Sequence, residues 1–279
     1  MVRIITDSAA DLEQRELELL NVTAIPLTVS FGDQSYLDGV DLSKAEFYQL
    51  LTGSGIFPQT AQPSPAVLEE LFTQAHEAGD EAVYITLSSG LSGTYQTARM
   101  ICEDLDHEGC FVVDSLNAAG GQRLLVQHAC KLRDAGMTAA RIVEEVEKLR
   151  TRVRLYACIN TLEYLYRGGR ISHTAYKVGS LAQIKPIISI DGEGKVQVPG
   201  KAMGMRKGMD TMCKYLEAHP VDPQFPLYLM HTDQRSAAEA LGQRMESHGI
   251  TADGIIGVGA AIGTHIGPEA CGLVYIEKE

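Results

Sequence analysis

One short stretch constrains this chain more than any other, because an apolar run breaks directly into a hydroxyl-rich turn. Residues 82–87 form the run, which predicts a buried strand, and residues 95–104 have a helical pattern. The turn between them holds four hydroxyl side chains and two glycines, namely Ser88, Ser89, Gly90, Ser92, Gly93 and Thr94. The first amides of such a helix lack intrahelical partners, so the turn is suited to bind a phosphate or carboxylate. The alternative is that one residue simply caps the helix.

The same alternation of strand, polar turn and helix recurs along the first half of the chain. Residues 2–6 and 110–113 read as buried strands, and each ends in an Asp-Ser pair, at Asp7 and at Asp114. Residues 21–31 read as one further strand. This spacing predicts an N-terminal α/β domain, residues 1–157, with a mostly parallel sheet flanked by helices. Ligands of such sheets gather at the carboxyl ends of the strands.

Beyond residue 157 the pattern changes. A helix is expected to run to Leu181, and residues 186–199 predict a hairpin around the turn 191–194. Helices and short strands then alternate up to a glycine-rich segment, 259–268, that contains His265. Ile262 stands where a dinucleotide-binding fingerprint needs its third glycine, so we reject that motif. The second domain, residues 158–279, is therefore expected to be α+β, with the ligand between the two domains.

Composition excludes several classes of function. A net charge of −12 argues against nucleic-acid binding. No apolar run approaches the length of a membrane span, and the N-terminus does not read as a signal peptide. The six cysteines and eight histidines are scattered without metal-binding spacing. We therefore expect a cytoplasmic protein without a metal and without stable membrane insertion.

Two other readings of the motifs stay open. Ser92 lies in an incomplete nucleophile elbow, and His265 as base with Asp7 or Asp114 as orienting acid would make a serine esterase or acyl-transfer enzyme. Residues 164–190 contain no acid but four cations, Arg167, Arg170, Lys177 and Lys185. This segment is either a solvated helix face or a positive surface for an anion or an acidic partner.

A set of motifs along the whole chain resembles one known family. They are residues 6–11 (TDSAAD), 60–65 (TAQPSP), 87–94 (LSSGLSGT), 114–115 (DS), 162–172 (LEYLYRGGRIS), 184–187 (IKPI) and 263–268 (GTHIGP). In order and spacing they resemble the DegV family. That resemblance implies a bacterial fatty-acid-binding protein of two α/β domains, with one acyl chain buried between them. Several such proteins are the non-catalytic subunit of a fatty acid kinase and present the bound fatty acid to a separate ATP-using partner.

The resemblance also implies roles for individual residues. Thr60 and Ser92 would hydrogen-bond the carboxylate of a fatty acid such as palmitate, with His265 close by. Arg170 would lie at the mouth, and Ser89 and Gly93 near the head group or a docked partner. Those roles leave no catalytic residue and no cofactor in this chain. Three positions depart from the family pattern, namely Ala61, Met203 and Glu269.

The physical requirements of such a ligand agree with those roles. A carboxylate removed from water needs donors, which Thr60, Ser92, turn amides and a protonated His265 would supply. Burying a C16 tail yields on the order of 12 kcal/mol before ordering costs. One hydrogen bond to a charged group gives about 1.5 to 3 kcal/mol. We therefore expect the tail to set affinity and the head-group contacts to set orientation.

Overall fold

The computed structural model describes residues 1–105, 108–179 and 183–279 of the chain. Its strands, in chain order, are β1 (Val2–Asp7), β2 (Val22–Ile25), β3 (Thr28–Phe31), β4 (Gln34–Leu37), β5 (Gln59–Ala61), β6 (Glu81–Thr86), β7 (Cys110–Asp114), β8 (Val153–Cys158), β9 (Ile184–Ile190), β10 (Val196–Met203), β11 (Tyr228–His231), β12 (Gly254–Gly257) and β13 (Cys271–Ile276). Its α-helices are α1 (Gln14–Leu20), α2 (Lys44–Gly53), α3 (Pro65–Glu77), α4 (Thr94–Asp104), α5 (Gly120–Asp134), α6 (Ala139–Leu149), α7 (Glu163–Arg167), α8 (His173–Gly179), α9 (Met205–Ala218), α10 (Arg235–Ser247) and α11 (Ala260–Ile266).

The first half of the chain builds the parallel sheet that its pattern predicts. Four strands lie in the order β2-β1-β6-β7, and every neighbouring pair is parallel. Because both faces of the sheet are covered, β6 is buried from Ala82 to Thr86. The carboxyl ends of β1, β6 and β7 therefore bring Asp7, the Ser-rich turn and Asp114 to one edge of the sheet.

The prediction of a single strand over residues 21–31 is wrong. The run divides at Pro26, which lacks the N–H needed to continue a sheet ladder, into β2 and β3. Strand β2 stays in the parallel sheet, while β3 pairs antiparallel with β4 and β5 in a separate three-stranded sheet. Thr60 consequently lies on β5, opposite Val29, rather than in an irregular loop.

The second half of the chain forms a six-stranded mixed sheet, ordered β10-β9-β8-β13-β11-β12. The predicted hairpin is present as β9 and β10, with a register shift between Gln197 and Gly200. The domain boundary predicted at residue 157 falls inside β8, and β8 pairs in this sheet with β9 and β13. The exact limits of the two domains stay a prediction. The predicted helix end at Leu181 lies outside the described residues.

The central strand β13 shows how the second sheet is buried. All six of its residues are buried, and consecutive side chains join different cores because they point to opposite faces. Leu273 packs in the core that α9 and α10 cover, whereas Val274 packs in a core shared with Val83 and Leu125 of the first domain. The two domains therefore share one continuous apolar core.

Helix α5 enters this shared core at a glycine. A Cβ at Gly120 would lie 2.5 Å from Cγ1 of Val274 and 3.0 Å from the sulfur of Met230. Only a residue without a side chain lets the first turn of α5 approach the second sheet so closely. In the described part of the chain, no helix is both long and apolar enough to cross a membrane.

The hairpin turn of the second domain rests on the Ser-rich turn of the first. The hydroxyl of Ser88 donates to the carbonyl oxygen of Gly194 at 2.7 Å. Gly194 has a φ of +75°, and a Cβ there would lie 2.0 Å from Oγ of Ser88. The contact thus requires glycine for both its backbone conformation and its space.

We expect Gly194→Ala to lower the free energy of unfolding by about 2 to 3 kcal/mol. The left-handed conformation costs a non-glycine residue about 1 to 2 kcal/mol, and the Ser88 hydrogen bond contributes about 1 kcal/mol more. Urea unfolding followed by circular dichroism measures the change. Gly192→Ala is the matched control in the same turn, since a Cβ at Gly192 meets nothing within 4 Å. Equal urea midpoints for the two variants would contradict the assigned contact.

Candidate functional site

A cavity lies between the two domains and is lined by residues of both. Aliphatic side chains from both domains form most of its wall, among them Leu27, Leu87, Leu155, Ile188, Met230 and Val258. Small-molecule sites are typically lined by apolar side chains with a few polar groups that fix the ligand's orientation. The cavity therefore suits a ligand that is largely hydrocarbon.

Four of the predicted site residues line this cavity, although they come from four separate parts of the chain. Thr60 lies on β5, Ser92 two residues before α4, Arg170 after α7 and His265 on α11. Gln62 lines the same cavity. The fold thus gathers hydroxyl, amide, guanidinium and imidazole groups on one apolar space.

Thr60 and His265 are hydrogen-bonded to each other, with 2.9 Å between Oγ1 and Nε2. Burial of the imidazole, with a smaller effect of the Arg170 charge, lowers the pKa of His265 to about 3. At neutral pH the ring is therefore neutral. These surroundings contradict the expectation of a protonated His265, because the charged ring would lose its hydration beside another cation.

The other ring nitrogen of His265 indicates which way this hydrogen bond runs. Nδ1 is buried and has no partner among the described residues. It packs on Gly168, where a Cβ would lie 2.2 Å away. Because a buried N–H without an acceptor is rarer than a bare acceptor nitrogen, we assign the proton to Nε2. Nε2–H then donates to Thr60, whose own hydroxyl proton is left for a ligand.

Ser92 is held at the start of α4 by its neighbour Thr94. Their hydroxyl oxygens are 2.9 Å apart, and the Thr94 amide donates to Oγ of Ser92 at 3.3 Å. The esterase hypothesis requires a hydrogen bond between Ser92 and His265, but Nε2 of His265 is bonded to Thr60. It also requires a carboxylate on Nδ1 of His265, and none of the described residues supplies one. The residues therefore lie in one cavity without forming the triad that this hypothesis requires.

Ser89 and Gly93 do not line the cavity. The amide of Ser89 donates to Oδ1 of Asp114 at 3.1 Å, which fixes the turn to the end of β7. Gly93 is exposed, and a Cβ there would lie 3.3 Å from Oε1 of Gln62. Their predicted place near the head group or a docked partner stays a prediction.

Arg170 joins the two domains at the edge of the cavity. Its Nε donates to the carbonyl oxygen of Leu91 at 3.1 Å, and Nη1 donates to that of Gly168 at 2.5 Å. An outer groove shares Leu91, Arg170 and Val196 with the cavity, so these three residues mark its mouth. Burial lowers the pKa of the Arg170 guanidinium, which nevertheless stays charged at neutral pH.

The other cations of the acid-free segment do not join Arg170. Arg167 stacks on the ring of Phe57 at 4.0 Å and reaches Glu163 at 3.5 Å. The ammonium of Lys185 bonds the side chain of Asn160. The side chain of Lys177 lies outside the described part of the chain. These contacts give no support to a single positive surface formed by the four cations.

Asp7, considered above as an orienting acid, instead organises the Ser-rich turn. Its carboxylate accepts hydrogen bonds from the amide of Leu87 at 2.8 Å and from Nε2 of Gln122 at 3.0 Å. Burial outweighs these bonds and raises the pKa of Asp7 to about 6. A carboxylate at the end of β1 thus holds the first residue after β6, which places the turn at the cavity.

Sequence reasoning missed two parts of this site. Gln62 lies within the TAQPSP motif, and its Oε1 accepts a hydrogen bond from Thr97 of α4 at 3.1 Å. Its place two residues after Thr60 on an extended segment was the available signal. The apolar wall had no such signal, because its residues read as ordinary core. Among the described residues there is no cluster that could hold a metal ion.

Comparison with known proteins agrees with this architecture. A family model described as "Uncharacterised protein, DegV family" matches residues 1–278. A DegV domain-containing protein of Caldanaerobacter subterraneus is 33% identical, over 99% of each chain. A solved structure titled as fatty acid binding of a DegV family protein, from Thermus thermophilus, has a TM-score of 0.89 at 28% identity, covering 99% of each chain. A stearic-acid-binding protein of Eubacterium ventriosum has a TM-score of 0.88 at 27% identity, covering 100% of this chain and 99% of its own.

Proposed function

Because this chain belongs to the DegV family, we propose that it binds one long-chain fatty acid in the cavity between its domains. The observation that carries the proposal is an apolar cavity between the domains that Thr60, Ser92 and His265 all line. Fatty-acid binding by the two structural relatives supports the same ligand class. The protein then acts as a carrier and performs no covalent chemistry itself.

The carboxylate of the ligand is proposed to lie between Thr60 and Ser92. His265 donates from Nε2 to Thr60, so the Thr60 hydroxyl is free to donate to a carboxylate oxygen. The hydroxyl of Ser92, which lines the same cavity, supplies a second donor when Thr94 donates to it. Arg170 adds a positive charge at the mouth. A neutral imidazole suits this arrangement, since it orients the hydroxyl without needing hydration.

The acyl tail is proposed to occupy the aliphatic part of the cavity. Each buried methylene contributes about 0.8 kcal/mol, so ten or more of them outweigh any single head-group contact. Leu155 and Met230 lie on the wall formed by the second sheet, and Leu27 and Leu87 lie on the wall formed by the first domain. Affinity therefore depends on the fit of the chain between two domains that share one core.

We further propose that the bound fatty acid is presented to a separate ATP-dependent fatty acid kinase or lipid pathway. Arg170 and Leu91 border both the cavity and the outer groove, so a partner docked there would reach the carboxylate. Met203, which is 55% exposed on β10, stands where the family pattern has an arginine associated with kinase docking, so this departure counts against a kinase as the partner. Six free cysteines fit a reducing cytoplasm as the place of action.

Native mass spectrometry of the purified protein tests the binding proposal. We expect a one-to-one complex with a long-chain fatty acid, identified after denaturation and extraction. Protein that is purified empty is incubated with palmitate and stearate before a second measurement. A folded protein that carries no lipid and takes up neither acid would overturn the proposed function. Turnover of a panel of acyl esters would instead favour the esterase.

A further inference from the structure

The helix that carries His265 is anchored by carboxylates of the other domain. Asp38 accepts a hydrogen bond from the amide of Ala260 at 3.0 Å on Oδ1 and from that of Ala261 at 3.2 Å on Oδ2. Asp11 accepts one from the amide of Gly259 at 2.7 Å. More than 200 residues separate each carboxylate from the amide it holds. The start of α11 is thus bonded to the N-terminal domain rather than to its own.

Both carboxylates are buried and held in place. Asp38 is 5% exposed and Asp11 is 3% exposed. The hydroxyl of Ser8 donates to Oδ2 of Asp38 at 2.9 Å, and Ser8 in turn accepts from the amide of Leu27 at 3.1 Å. Asp38 therefore cannot follow α11 if the helix moves, and the helix cannot move without losing both bonds.

The surroundings of these acids make the arrangement costly. Burial raises the pKa of Asp11 to about 7 and also raises that of Asp38. Each acid faces the charge of the other and that of Lys44, whose ammonium donates to the Gly257 carbonyl oxygen at 2.7 Å. Arg123 also acts on Asp11. A serine or asparagine would cap a helix at a lower desolvation cost, so stability alone is a poor account of two buried acids here.

The remaining contacts of α11 leave it little freedom. A Cβ at Gly263 would lie 2.6 Å from both Cε1 of Phe47 and the hydroxyl oxygen of Tyr48 on α2. The hydroxyl of Tyr48 donates to the carbonyl oxygen of Val258 at 3.1 Å. Ala261 and His265 are four residues apart on one face of α11, and both line the cavity. A shift at the Ala261 end of the helix is therefore transmitted directly to His265.

We propose that Asp38, assisted by Asp11, is a positioning residue of the head-group site, which holds α11 so that His265 meets Thr60. Asp38 touches no ligand in this scheme. It acts through two backbone amides of α11 and through the single bond between His265 and Thr60. The proposal rests on the proposed fatty-acid-binding function. It adds that Asp38, in the first domain, fixes the geometry of the residues that bind the carboxylate.

The test compares Asp38→Asn with the wild type by two readouts. One is the dissociation rate of a preloaded fluorescent C16 fatty acid, and the other is the NMR titration of the His265 ring in the empty, folded protein. We expect dissociation to become about tenfold faster, the effect of roughly one lost hydrogen bond. We also expect the His265 pKa to rise towards its ordinary value, since a displaced ring gains water and moves away from the Arg170 charge.

Matched variants separate this role from general destabilisation. Asp222→Asn removes a carboxylate of the second domain that is 7% exposed, accepts from the amide of Gln224 at 3.0 Å and pairs with Arg152, and it should change neither readout. If Asp38→Asn does not fold, Ser8→Ala decides, because it frees Asp38 while keeping its charge. Lipid binding by the wild type tests the proposed function separately. Unchanged dissociation and an unchanged His265 titration in a folded variant would overturn the positioning role.

Discussion

Replacing Ala261 with Phe is expected to weaken the binding of a C16 fatty acid about 100-fold. Ala261 is 3% exposed, lines the cavity and extends from the same face of α11 as His265. The phenyl ring would fill space that three or four methylenes of the ligand otherwise occupy. At about 0.8 kcal/mol per methylene this loss is close to 3 kcal/mol, or roughly two orders of magnitude in the dissociation constant.

Isothermal titration with acids of ten and sixteen carbons measures this effect. The C10 acid should lose less affinity, because a shorter tail can still fit in the remaining space. Met100→Phe on α4, at a side chain that is 63% exposed, controls for the added ring. Wild-type affinity for the C16 acid in a folded Ala261→Phe variant would show that the tail lies elsewhere.

Thr60→Val should produce the second large effect, a loss of about 10- to 100-fold in fatty-acid affinity. Valine keeps the shape of threonine but cannot donate to the carboxylate, and a hydrogen bond to a charged group is worth about 1.5 to 3 kcal/mol. The variant also leaves Nε2–H of His265 without its acceptor at 2.9 Å. The dissociation constant of palmitate, measured by displacement of a fluorescent fatty acid, reports the change.

Thr60→Ser is the matched variant for this test, since it retains the hydroxyl and loses only a methyl group. We expect its affinity to stay within a few-fold of the wild type. A loss of affinity in the serine variant with none in the valine variant would mean that the methyl group, not the hydroxyl, matters at this position. Wild-type fatty-acid affinity in both variants would show that Thr60 does not bind the carboxylate.

Local patterns were sufficient to predict most of the framework. The apolar run before Ser88 is β6, the Asp-Ser pair at Asp114 marks the end of β7, and residues 184–203 form the expected hairpin. These features depend on neighbours in sequence, because burial on both faces of a strand and turn residues between strands are visible in the chain itself. The motif resemblance added the correct family and the cavity-lining residues Thr60, Ser92 and His265.

Other features could not be read from neighbours in sequence. Strand β3 leaves the parallel sheet after Pro26 because its partners β4 and β5 lie further along the chain. The protonation state of His265 depends on burial and on the charge of Arg170, which is far from it in the sequence. Asp38 had no distinguishing pattern, yet it holds α11. The only signal for Gln62, which lines the cavity, was its place two residues after Thr60.

The sequence by itself determined the strands β1, β6 and β7 of the parallel sheet, the hydroxyl-rich turn, the hairpin and the types of side chain available to bind a carboxylate. Only the tertiary structure decided which of those side chains meet. Ser92 reaches the cavity while Ser88 bonds Gly194 and Ser89 lies away from it. The physical reason is that hydrogen-bond partners, burial and pKa depend on atoms brought together across two domains. Strand and turn propensities, in contrast, act between residues that are already adjacent in the chain.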